Sequence, residues 1–94
     1  MKNNQILGAL ALDLKRVAMG YFRGSDVMAE RFYEEALKRR KQLDNKNLKP
    51  YLVNFLNKLD NFKTQDKTKV TEDALLYSTI FQNAAMTPDD SCPT

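Results

Sequence analysis

Histidine and tryptophan are missing from these 94 residues, and cysteine occurs once, at position 92. Without histidine, acid–base catalysis near neutral pH falls to carboxylates, lysine or tyrosine with displaced pKa values. Every Asp and Glu here reads as a helix cap, a loop residue or part of a polar helix face. A lone cysteine forms no internal disulfide, which makes a reducing, cytoplasmic setting the expectation. With no histidine beside it, there is also no zinc-type ligand set. The three glycines, at 8, 20 and 24, lack the spacing of a phosphate-cradling loop. The expectation is therefore a chain that is not an enzyme and takes no metal and no cofactor.

Charged residues make up 29% of the chain and apolar ones 43%, a balance that argues against both a membrane span and simple disorder. At this length there is room for one domain, which buries roughly 65% of the surface its unfolded chain exposes. The core is thin, and a large internal cavity would cut into it. Ile6 to Leu12 superficially resembles the apolar part of a secretory leader, but Asp13, Lys15 and Arg16 carry a helical pattern straight through it, so it reads as a retained helix.

What the chain does have is four apolar stripes at helical spacing. The first helix is expected from Asn4 to Arg23, with Ile6, Leu7, Leu10, Ala11, Leu14, Val17, Ala18, Tyr21 and Phe22 on one arc. Gly24 ends it, and Ser25 caps a second helix running from Asp26 to about Leu43. Glu34 with Lys38 and Glu35 with Arg39 are spaced as i,i+4 pairs on that helix. Pro50 opens a third helix, Lys49 to Phe62, with Leu48 and Val53 spaced as a hydrophobic staple and Tyr51 on its buried stripe. Residues 64–69 carry no apolar side chain and read as an exposed linker. Thr71 is then the expected cap of a fourth helix ending near Ala85, with a Val70–Leu75 staple and a stop at Thr87-Pro88. No strand pattern and no repeat is present. The expected fold is all-α, a compact four-helix bundle with antiparallel neighbours, its single domain over 1–86 and a short disordered tail over 87–94.

Charge is unevenly placed. Residues 1–70 hold all fifteen cationic side chains and eight of the twelve acids, giving +7, while 71–94 hold four acids and no base, giving −4. Opposite charge favours docking of the last segment onto the rest.

Two patterns point to partners. From Ala74 to Pro88 no residue is charged, whereas a solvated helix face normally carries Lys or Glu. Charge depletion marks the centre of an interface. The candidate contacts are Leu75, Leu76, Tyr77, Phe81 and Met86, joined by Leu12 and Met19, which lie off the main arc of the first helix near Gly8. This predicts a protein–protein interaction module that forms a homodimer or joins a larger complex. The second pattern is Lys38-Arg39-Arg40-Lys41, with Lys15, Arg16 and Arg23 upstream, which suits nucleic-acid phosphates or a carboxylate. Cations in the last turn of a helix are, however, favoured by its dipole, and Glu34 and Glu35 stand ready to neutralise two of them. The aromatics that would stack on bases fall in core stripes. Arg39 and Arg40 border the apolar arc, either snorkelling or meeting a carboxylate such as Glu72, Asp73 or one from a second chain. An anionic membrane surface suits this helix less, because three glutamates share it.

Overall fold

The computed structural model describes residues 3–44, 46, 48–62 and 66–86. They form four helices and no strand: α1 (Asn3–Phe22), α2 (Asp26–Gln42), α3 (Pro50–Leu59) and α4 (Lys67–Met86). The expected four-helix bundle is what the chain adopts. The tail expected at 87–94 lies outside the described residues.

α1 is the central element. Its buried residues, apolar but for Asp13, include Leu7, Leu10, Leu14 and Val17, and it packs closely against both α2 and α4. The α1–α2 turn is built by Gly24, whose φ of 81° an L side chain adopts only with strain. The Gly24 amide donates to Tyr21 O at 3.1 Å and the Ser25 amide to Gly20 O at 2.8 Å, the paired bonds of a Schellman cap. Ser25 then caps α2, its Oγ accepting from the Met28 amide. Close approach of the two helices depends on Gly20, where a Cβ would sit 2.8 Å from the Ala29 backbone nitrogen. At the far end of the hairpin, Asn3 exchanges two 3.1 Å hydrogen bonds with the Asp44 backbone, pinning the start of α1 to the end of α2.

α4 lies antiparallel on the other side of α1, with Gly8 facing Ala85. The glycine expected to help a partner approach therefore serves an internal contact. α3 joins through larger side chains. The Tyr33 hydroxyl donates to Leu59 O at 2.6 Å, and Tyr33 stacks on Phe62 with centroids 6.2 Å apart. Tyr77 meets Phe55 at 4.9 Å and Phe62 at 5.2 Å, so aromatic rings fill the space between α2, α3 and α4. Leu48 packs against this core at the entry to α3, and Val53 is half-buried one turn in.

Several sequence expectations need correction. α4 begins at Lys67, four residues before the expected Thr71 cap. Asp66 is the capping residue: its Oδ1 accepts from the Lys69 amide at 2.8 Å and its carbonyl from the Val70 amide. Thr71 lies inside the helix, its hydroxyl donating to Lys67 O. Val70 is buried while Leu75 faces outward, so the two do not form a staple. Phe22 and Tyr51, placed on buried arcs, sit at helix ends and are exposed. On α2, Lys38 pairs with Glu35 at 3.6 Å, three residues back, and Arg39 turns away from its own helix.

Candidate interaction surface

α1 and α4 run side by side with small residues between them, which leaves a shallow groove of about 510 Å³ along their outer side. Ala11 and Ser78, both buried, form its floor; Leu12 and Lys15 line one wall, Leu75 and Gln82 the other. On α4 the positions 70, 74, 77 and 81 follow helical spacing into the core, so 72, 75, 76, 79, 82, 83 and 86 make the opposite face. Between Ala74 and Met86 that face carries no charge. Its hydroxyl is satisfied locally, since Thr79 Oγ1 donates to Leu75 O at 3.2 Å.

The candidate contacts divide by their position on this wheel. Leu12 (47% exposed), Met19 (38%), Leu75 (45%), Leu76 (53%) and Met86 (72%) stand on the surface. Tyr77 (6%) and Phe81 (0%) do not: they belong to the aromatic core, with rings 6.2 Å apart, and offer nothing to a partner without unfolding. The sequence missed Phe22, which is 84% exposed and follows Lys15 and Met19 at i+7 and i+3 on the same side of α1. Its signal was present in that spacing, at the edge of the apolar arc.

The basic end of α2 is largely occupied by the chain itself. Arg39 Nε donates to Asp13 Oδ2 at 2.7 Å, bridging α2 to a carboxylate on α1 that is almost fully buried. Asp13 is the exception to the expectation that every acid lies in a cap, a loop or a polar face, and it takes the role foreseen for Glu72, Asp73 or a second chain. Arg40 donates to Asn57 Oδ1 at 2.9 Å and lies 3.8 Å from Asp60, so Asn57 on α3 and Asp60 at its end anchor α2. Lys38 and Lys41 point to solvent. A second groove, between α1 and α2, brings Arg16, Arg31 and Arg39 together with Asp13, Glu35 and Phe32. Within it Arg16 lies 5.3 Å over the Phe32 ring, and Arg39 is held by Asp13.

Lys67 and Asp26 form an ion pair joining the starts of α4 and α2. The hydrogen bond to Asp26, and then its charge, hold the Lys67 ammonium above its usual pKa. Burial raises the phenols of Tyr21, Tyr33 and Tyr77, with Glu30, Asp60 and Asp73 respectively adding to it. Among the described residues no three His, Cys, Asp or Glu side chains come together as a metal site, and no helix is long and apolar enough to cross a membrane. No protein-family model, curated protein or solved structure matches the chain.

Proposed function

We propose that this chain is a non-enzymatic helical interaction module, working in the cytoplasm, that self-associates or docks into a larger assembly through the outer face of α1 and α4. The observation that carries this reading is the cluster Leu12, Met19, Leu75, Leu76 and Met86, exposed beside a stretch of α4 free of charge. Isolated apolar side chains on a surface are ordinary, but here two of them, Leu12 and Leu75, line one groove, and apolar exposure of that kind marks docking sites. The reading of the chain as a nucleic-acid accessory protein through Lys38, Arg39, Arg40 and Lys41 is the weaker one. Arg39 and Arg40 are already engaged by Asp13, Asn57 and Asp60, which leaves two lysines for phosphate.

The test is gel filtration of lysate from the native host, comparing the native chain with Leu75→Lys/Leu76→Lys. Both side chains are on the surface, so the variant is expected to melt within about 0.5 kcal/mol of the parent. Under this proposal the native chain elutes in a larger species and the variant as a monomer. Identical elution of the two would sink the reading.

A further inference from the structure

We infer that the occupant of the α1/α4 face is a second copy of this chain, packed about a twofold axis with α4 against α4. This rests on the reading that the face is an interface, and three features select the copy. The first is charge. In a twofold interface each group near the axis meets its own counterpart, so any net charge there repels itself. α4 carries none from Ala74 to Met86, although the whole chain is +3 and would repel a copy elsewhere. Charge returns only at the flanks, with Lys15 and Arg16 on the exposed side of α1, Arg23 just past its end, and Glu72 just before the uncharged stretch of α4, so the strip that is neutral is the one on α4 at the axis.

The second feature is the polar chemistry of the face. Gln82, in the groove wall, carries a donor and an acceptor in one group and is able to pair with another amide of its own kind, as a lysine or glutamate is not. The apolar remainder, Leu12, Met19, Leu75, Leu76 and Met86, needs no directional complement. The third feature is size. α1 and α4 have 20 residues each. At 1.5 Å rise per residue such helices are about 30 Å long, and lying about 9 Å apart they present a face roughly 18 Å wide. That is about 550 Å² in projection, and the relief of the side chains brings it toward the roughly 800 Å² per partner that a stable dimer covers.

The experiment uses the purified 94-residue chain in light scattering after gel filtration, from micromolar to millimolar concentration, with native mass spectrometry. The native chain is expected to be a dimer. Leu75→Glu/Leu76→Glu and Leu75→Lys/Leu76→Lys should each keep their helicity and melting temperature yet associate roughly thirtyfold or more weakly. An equimolar mixture of the two variants should recover a dimer containing one copy of each, because in a twofold packing the acidic patch of one meets the basic patch of the other. A native chain that stays monomeric to millimolar concentration overturns the inference, and so does a dimer that either variant leaves intact. A mixture that remains monomeric overturns the twofold packing. If purified protein is monomeric while the lysate assembly is still lost in Leu75→Lys/Leu76→Lys, only the choice of partner has failed. If the lysate assembly survives, the interface reading has failed with it.

Discussion

Asp13 and Arg39 make the most consequential pair of side chains in the molecule, because their burial is unequal: 5% of the Asp13 side chain is exposed against 34% of Arg39. Removing either partner breaks the same 2.7 Å contact, but the residue left behind differs. Asp13→Ala leaves an arginine that can swing its guanidinium into water, for a loss of about 1 kcal/mol. Arg39→Leu leaves a carboxylate trapped between α1 and α2 without its counter-charge, for a loss of about 3 kcal/mol. The double variant Asp13→Leu/Arg39→Leu should recover much of that loss, since an apolar pair satisfies the site as well as the ions do. Urea denaturation of the four proteins measures this cycle, and equal losses from the two single changes would contradict the asymmetry. A carboxylate for Arg39 was legible in the sequence, but not that Asp13 supplies it. A separation of 26 positions says nothing about the rotational setting of α2 on α1, and the close Gly20–Ala29 contact bears on that setting.

The helices themselves were legible because apolar spacing, the Gly24-Ser25 turn and Pro50 are local signals, and three of the four starts follow from them. α4 departs at both levels. Its first turn, Lys67-Thr68-Lys69, is wholly polar, so a reading led by apolar periodicity begins the helix only where Val70 enters the core. Two lysines at a helix N-terminus also oppose its dipole. The fold answers each in turn: Asp66 caps the free amides, Asp26 pairs with Lys67, and Asp73 lies 3.8 Å from Lys69. Asp66→Ala removes the cap and leaves the lysines in place, and should cost about 1 kcal/mol with faster hydrogen exchange at the Lys69 amide. Thr71→Ala, at the position the sequence singled out, should change stability by less than about 0.5 kcal/mol. The reverse ranking in urea denaturation would restore Thr71 as the cap. The same absence of charge that marked α4 as an interface hid its orientation. With no Lys or Glu to identify the solvent side, core residues Tyr77 and Phe81 were indistinguishable from surface residues Leu75 and Leu76.

Among the described residues of the whole molecule, α4 is joined to its neighbours by the aromatic core and by few ion pairs. Of the acids in the last segment, Asp73 pairs within its own helix, while α4 meets α2 through Lys67, a base. The core instead draws rings from α2, from α3 and the residue just beyond it, and from α4, and this gives the fold an alkaline weakness. Tyr21, Tyr33 and Tyr77 all have phenols raised above the usual value near 10, burial being the first cause in each. Above that pH the unfolded chain releases protons that the folded chain retains, so unfolding is favoured as pH rises. Lys67, also raised, acts with the same sign: its contribution is complete below the usual lysine value and is lost as pH climbs through its folded one. These four groups leave stability flat up to about pH 9 and make it fall steadily from about pH 10 upward. Melting curves followed by circular dichroism across that range, with tyrosinate absorbance recorded alongside, test the expectation. Tyr33→Phe is the decisive variant, because its hydroxyl donates to Leu59 O and its ring stacks on Phe62. At neutral pH it should lose about 1 kcal/mol with the hydrogen bond. Above pH 10 its stability should decline less steeply than the parent's, since one retained proton is gone. Parallel declines in the two proteins would move the alkaline transition away from Tyr33 and onto Tyr21, Tyr77 and the Lys67–Asp26 pair.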